Sequence, residues 1–393
     1  MQIRKLAAAE WADFNPISII AFHIRLDDME KSREGWDREA ESHPDWTNWG
    51  AFADDGSPMA RVLQIPYVSR FDGHAIKNGG IGAVSTLPEY RNTGAVRAIF
   101  KEMLAAAYDS GEIISTLYPF NHSFYRKFGY ETVCYANEYT LPVASLKGYK
   151  HDGWVKMWNQ GETPELFTQV YNEFAKNYNL SFVRDDALMS SHVRGAYYKD
   201  RRFCYLIGDE ENGPTAYVVF DDAGKDEEHR IKVADMAYTG PLGLRSLLGF
   251  LARFTADYKD IRINLPLDVD LYKLVNDPYS VKNITQCNYM ARVINAPKLL
   301  SLKKKPENAK FTIGINDDML PQNSGVWLVD GENVSRTDAA PDITVSERAL
   351  AQLATGASSL DEALFRTDVK LHANEVTLRA VFAAHPVFIA DHF

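Results

Sequence analysis

The 393 residues exceed one ordinary core and predict two or three domains. Hydrophobic content of 46% with 24% charged residues is that of a globular chain, no apolar run reaches membrane-span length, and the opening MQIRKLAAAEWADF lacks the apolar core of a secretory signal. A formal charge of −10 weighs against a nucleic-acid partner and favours cationic small molecules, while Cys134, Cys204 and Cys287 lack metal or redox spacing and read as inert thiols of a cytoplasmic protein.

In chain order, Trp49–Asp54, Pro58–Phe71 and Gly80–Ser85 read as a three-stranded meander, with Asp55-Gly56 and Asp72-Gly73 as turns. Ala95–Tyr108 carries apolar residues at helical spacing (Val96, Ile99, Phe100, Met103, Leu104) and stops at Gly111. A strand at Glu112–Tyr118, a short helix from Asn121 ended by Gly129, and a long strand at Glu131–Val143 follow. After a polar stretch, Ser145–Gly153, the order of elements repeats. Leu166–Tyr178 and Leu242–Tyr258 read as helices, and Phe203–Ile207, Thr215–Phe220, Arg230–Tyr238 and Ile261–Leu265 as strands. A third segment begins near Cys287: a strand at Met290–Ile294, a helix at Ala296–Leu302, and strands at Lys310–Ile315 and Val326–Val329. Asp342–Val345 then enters a helix whose N-cap is Ser346.

The loop Arg91-Asn92-Thr93-Gly94-Ala95 joins an apolar strand directly to an amphipathic helix. Backbone N–H groups at a helix start make an anion site, Gly94 lets the backbone approach a bulky group, and Arg91 adds positive charge. The spacing R-x-x-G-A is neither that of a nucleotide-hydrolase loop nor that of a dinucleotide fold. It resembles the acetyl-CoA motif [RQ]-x-x-G-x-[GA] of the GNAT superfamily of N-acetyltransferases, with Val96 where the last small residue belongs. The string FYRKFGY from Phe124 resembles that superfamily's second motif. The corresponding loop of the second repeat, Thr239-Gly240-Pro241-Leu242-Gly243, lacks the arginine, and Pro241 lacks an N–H, so it reads as a degenerate copy that binds no CoA. The third segment, with ITVSERALAQLATGASSLDEAL, resembles a sterol-carrier-protein-like domain. A tandem GNAT pair with such a domain, together with VSTLPEYRNTG, FYRKFGY and the carboxyl-terminal FIADHF, is similar to the enhanced-intracellular-survival (Eis) type acetyltransferases.

This resemblance implies an α+β protein. It would comprise a catalytic GNAT domain over 1–148, a degenerate second GNAT domain over 149–286 and a sterol-carrier-protein-like α+β domain over 287–393. It implies acetyl-CoA as co-substrate, no metal, a small-molecule amine acceptor and a homohexamer. Backbone groups of Val84, Ser85 and Thr86 are expected at the acetyl and pantetheine. The loop Asn92 to Arg97, including Thr93, Ala95 and Val96, is expected at the pyrophosphate, with Phe120 and Asn121 completing the cofactor set. Tyr125 matches the family's general acid, and a phenol of pKa ~10 holds its proton at neutral pH; a tyrosine packed on one face of a short helix is the alternative. In the family the last residue's free carboxylate acts as base, which assigns that role to Phe393; the alternative is an idle carboxylate on a closing strand. His392 stands where mycobacterial members carry glutamate. Acidic residues around Trp36, Asp27 and Asp28 among them, form either a wall for a polyamine or aminoglycoside acceptor or a solvated helix face. Lysine or peptide acetylation, and lipid or ligand binding through the third domain without catalysis, are the competing functions.

Overall fold

The computed structural model describes residues 1–159, 161–222 and 229–392. They divide into two compact units. One gathers Met1–Val133, Tyr289–His385 and the chain from Asp391; the other gathers Cys134–Asn288 and Pro386–Ala390. The first and third sequence segments therefore share a unit.

The first unit opens with β1 (Gln2–Lys5), α1 (Trp11–Phe22), α2 (Met29–Ser42) and β2 (Thr47–Phe52), with β1 and β2 antiparallel. The meander continues through β3 (Pro58–Phe71) and β4 (His74–Thr86). Asp72 and Gly73 turn between them with φ of 47° and 89°, the two positive values a tight hairpin of matching twist requires. β4 is longer than the sequence pattern suggests because polar His74 and Lys77 alternate with buried Ile76 and Asn78 before the apolar run begins. Next, α3 (Ala95–Asp109) lays Ile99, Phe100, Met103, Leu104 and Ala107 on the sheet. β5 (Ile114–Leu117) then returns parallel to β4. The short helix α4 (His122–Arg126) follows, its start capped by the Asn121 side-chain Oδ1 accepting from Phe124 N–H at 3.1 Å.

β6 (Glu131–Pro142) carries the chain into the second unit, which adds β7 (Trp154–Met157), α5 (Glu165–Ala175), α6 (Asp186–Val193), β8 (Arg202–Asp209), β9 (Gly213–Asp222), β10 (Arg230–Tyr238), α7 (Gly240–Ala252) and β11 (Asp260–Pro266). Its strands run in the order β6, β11, β10, β9, β8, β7, with β10 and β11 parallel as β4 and β5 are. The second unit thus repeats the strand–helix–parallel-strand plan of the first.

β12 (Lys282–Val293) brings Met290–Val293 back antiparallel to β5. The rest comprises α8 (Ala296–Leu302), β13 (Lys310–Asn316), β14 (Gly325–Asp330), β15 (Asn333–Arg336), β16 (Ile343–Ser346), α9 (Glu347–Thr355), α10 (Leu360–Ala363), β17 (Val369–Leu371) and α11 (Glu375–Val381), with a sheet ordered β15, β14, β13, β16, β17. The segment before α9 is a strand rather than the start of a helix: Ile343 and Val345 are buried, and β16 pairs in parallel with β13. Ser346 is nevertheless the N-cap, accepting from Ala349 N–H at 3.1 Å.

At the end of β5 away from Leu117, burial pushes the Glu112 carboxyl up to about 7, against a Gln64 hydrogen bond of 2.7 Å and the charges of Lys77 and Lys5. A carboxyl raised on folding binds protons more tightly in the native state, so stability falls as pH climbs from the ordinary carboxylate range through 7. Glu112→Gln keeps the hydrogen bond to Gln64 without the buried charge. Its melting temperature is expected above wild type at pH 8 and level with it near pH 4.5; equal values at both would show the carboxylate to be well solvated.

Candidate active site

β4 and β5 pair only through Asn78–Ile81 and Ile114–Leu117. Past Ile81, β4 spends an extra residue opposite Arg61–Leu63, and Ala83 takes φ 50°. Such a bulge increases local twist and re-aims a strand. Gly82–Thr86 consequently continue beside β3 alone, and their other backbone edge faces an opening between the two parallel strands. Ser18 of α1 holds Ser85 through a hydroxyl pair at 3.1 Å.

The start of α3 faces the same opening. Asn92 and Gly94 have φ of 63° and 85°, which turn the loop so that consecutive N–H groups converge. No side chain caps the helix, and its first bond runs from Ala98 N–H to the Gly94 carbonyl at 2.9 Å. The N–H groups of Ala95, Val96 and Arg97 thus precede the helical ladder. A Cβ on Gly94 would meet nothing within 4 Å, so open space lies in front of the loop.

A cleft of about 670 Å³ fills the opening. Of the residues expected to hold the cofactor, Val84, Ser85, Thr86, Arg91, Asn92, Gly94, Ala95, Val96, Arg97 and Phe120 line it. Thr93 and Asn121 do not. The Thr93 hydroxyl donates to the Tyr90 carbonyl at 2.7 Å, and the Asn121 side chain is spent on the α4 cap. Ala21, Phe22, Tyr90, Phe124, Lys127 and Phe128 complete the lining. Three of these six lie in FYRKFGY and were within reach of the motif. Ala21 and Phe22 end a helix whose apolar residues have no one-sided pattern, so no sequence signal marks them. The charged lining residues Arg91, Arg97 and Lys127 are all cations, which with the free N–H groups suits a pyrophosphate. The chain's own donor set therefore fits the nucleotide end of a CoA thioester.

Tyr125 is buried and is not a lining residue of this cleft. Its ring meets Phe120 and Phe124, which do line it, at 5.4 and 5.2 Å, and Phe100 at 6.4 Å. Burial, with Tyr130 nearby, raises the Tyr125 phenol well above its ordinary value and keeps it protonated throughout the neutral range. Tyr130 is a core residue, fully buried with its hydroxyl 2.7 Å from that of Ser115.

Asp27 and Asp28 are exposed and Trp36 is half-buried on α2; none of the three lines the cleft. The Asp28 carboxylate caps α2 by accepting from Lys31 N–H at 3.1 Å. Phe393 lies outside the described residues. Its neighbours do not. The Tyr289 hydroxyl donates to the Asp391 carbonyl and lies 3.0 Å from Nδ1 of His392, whose ring is 5.7 Å from that of Tyr118, the residue immediately after β5. Among the described residues, no group of three or more His, Cys, Asp or Glu is arranged for a metal, and no helix is long and apolar enough to cross a membrane.

The equivalent loop in the second unit offers fewer N–H groups. Thr239 N–H is taken by the Thr215 carbonyl at 2.8 Å, Pro241 supplies no N–H, and a Cβ on Gly243 would come within 2.3 Å of the Thr215 oxygen. The start of α7 packs against the β9 backbone at Gly243, while Gly240 at its tip is exposed.

Residues 2–133 and 181–293 each match a family model of an acetyltransferase (GNAT) domain, and residues 291–390 match a sterol carrier protein domain. No curated protein matches the chain. Among solved structures, a conserved protein of Enterococcus faecalis V583 called a "Probable N-Acyltransferase" superposes with a TM-score of 0.88 at 22% identity, covering 100% of this chain and 99% of that one. A GCN5-related N-acetyltransferase from Anabaena variabilis gives 0.86 at 20% identity, and Eis1 from Mycobacterium abscessus 0.83 at 19%, each over 100% of both chains. At such identities the likeness is one of fold.

Proposed function

We propose that this chain, a tandem-GNAT acetyltransferase of the enhanced-intracellular-survival type closed by a sterol carrier protein domain, moves the acetyl group of acetyl-CoA to a primary amine at the cleft of its first domain. The observation that carries this reading is the junction, in one cleft, of an uncapped, cation-flanked helix start with a strand end paired on one edge only. The first suits the pyrophosphate, and the second offers backbone groups from Val84 to Thr86 to the pantetheine and the acetyl carbonyl.

In the reaction the amine nitrogen attacks the thioester carbon, the C–S bond breaks, the nitrogen loses a proton and the sulfur gains one. Arg91, Arg97 and Lys127 balance phosphate charge. Tyr125 keeps its proton available to the departing sulfur, and the Phe393 carboxylate receives the proton of the incoming ammonium. The acceptor is a cationic small molecule of the aminoglycoside or polyamine kind, drawn by the net charge of −10. The enzyme works in the cytoplasm as a homohexamer, an assembly that light scattering checks directly. A thiol-release assay across an aminoglycoside, a polyamine and a lysine peptide tests the whole reading. Release with the peptide alone would move the acceptor to lysine side chains. No release with any amine, and no melting shift with acetyl-CoA, would leave ligand binding through the third domain, visible by mass spectrometry of retained molecules.

Amidating the terminal carboxylate of Phe393 by semi-synthesis keeps its shape and removes its charge. The expected result is a fall in kcat of about 10²-fold or more, with unchanged melting temperature and acetyl-CoA affinity. A normal rate across neutral pH would make the carboxylate structural and send the search for the base elsewhere.

A further inference from the structure

A second cavity, of about 520 Å³, adjoins the cleft and shares Gly94 and Arg97 with it. One wall is α3: Gly94, Arg97, Ala98 and Lys101 recur at three- and four-residue spacing and so lie on one helix face. That face is distinct from the buried one carrying Ile99, Phe100 and Met103. The opposite wall comes from the sterol carrier protein domain, as Asp318, Met319 and Pro321 of the loop between β13 and β14.

That loop is held from within. The buried Asp317 carboxylate accepts from Arg292 at 2.5 Å, from Met319 N–H at 3.1 Å, from Leu320 N–H at 2.9 Å and from Asn323 Nδ2 at 3.1 Å. Leu320 is fully buried and pins the loop from below. Arg292 in turn donates to the Phe128 carbonyl at 2.7 Å, and Phe128 lines the main cleft. Met319 and Pro321 are thus presented on a turn fixed to the cleft's own frame.

A molecule held by a pyrophosphate at Gly94 has two ends to place. The end of β4, paired with β3 alone, accounts for one. The other must leave past Arg97, and the second cavity is what it meets there. We infer that the sterol carrier protein domain forms one wall of the acetyl-CoA site, with the 3′-phosphorylated adenosine lying between α3 and the Asp318–Pro321 turn. Arg97 and Lys101 face its phosphate, and Lys101 has no ion-pair partner among the described residues to compete for it. Met319 and Pro321 give the base an apolar surface, and the exposed Asp318 carboxylate accepts from its exocyclic amine. The volume lies in the range of built ligand pockets. The inference rests on the reading of the main cleft as the acetyl-CoA site and adds to it residues from a domain that carries no GNAT motif.

The test is titration calorimetry on the full chain with CoA and with 3′-dephospho-CoA. For wild type, loss of the 3′-phosphate is expected to weaken binding about tenfold, the size of one charge-assisted phosphate contact. Lys101→Ala should weaken CoA by a similar factor and leave 3′-dephospho-CoA unchanged, because the partner is already gone. Met319→Ala should weaken both ligands several-fold. Melting temperatures near wild type confirm that the exposed Lys101 variant is folded. If wild type binds CoA and both variants bind both ligands as wild type does, the adenosine leaves in another direction and the inference falls, while the acetyl-CoA reading stands. If wild type binds neither ligand, both fall.

Discussion

Gly94→Glu is expected to abolish acetyl-CoA binding. Three effects act together. Gly94 sits at φ 85°, where a side chain costs about 1–2 kcal/mol. The space before it is open, so the new side chain enters the volume the phosphates need rather than colliding with protein. The chain folds, but the cradle is filled. The carboxylate then opposes the very charge that Arg91, Arg97 and the Ala95–Arg97 N–H groups attract. Gly94→Ala separates these contributions, since it carries the strain without the charge, and should weaken binding far less. Calorimetry of wild type should give one site per chain, because the loop at Thr239–Gly243 has no arginine, Pro241 carries no N–H and the Thr239 N–H is taken by the Thr215 carbonyl. Two sites per chain, or tight binding by Gly94→Glu, would place the nucleotide elsewhere.

Tyr125→Phe is expected to lower kcat by about 10²–10⁴-fold while leaving acetyl-CoA affinity near wild type, the signature of a lost proton donor. Phenylalanine preserves the ring contacts with Phe100, Phe120 and Phe124, so the packing of α4 survives. Because burial raises the phenol, its deprotonation removes no activity below pH 10, and any alkaline fall in the wild-type rate within the neutral range belongs to another group. The same burial makes the alternative concrete. If Tyr125→Phe turns over at the wild-type rate, Tyr125 is the packing residue its surroundings would equally allow.

What the sequence made legible follows from how local each signal is. α3 and β3 were readable to within a residue because their apolar spacing and bounding turns are written in consecutive positions. The turn from Arg91 to Ala95 into α3 was readable because Gly94 and the apolar spacing after it are consecutive. Signals that depend on distant partners were weaker. Asp342–Val345 reads as a helix approach from its neighbours, yet β13 recruits it as a strand. The Thr93 hydroxyl and the Asn121 side chain are engaged by the Tyr90 carbonyl and the α4 cap, partners no sequence pattern names. Ala21 and Phe22 reach the cleft only because α1 packs on β4. The acidic run around Trp36 is plain in composition, and α2 uses Asp28 as its cap. No local pattern could announce that Tyr289–His385 return to the unit built by the first 133 residues.

That return has a consequence for biosynthesis. β5 is buried along its whole length, and its far edge is closed only by Met290–Val293. A ribosome adding about 5–20 residues per second therefore needs roughly ten to thirty-five seconds after Leu117 to deliver the closing strand. Throughout that interval Ile114–Leu117 presents an unpaired backbone edge, the kind of surface that nucleates misassembly. Nascent chains arrested in the second domain should therefore engage chaperones through this edge and resist aggregation less well than chains released beyond Val293.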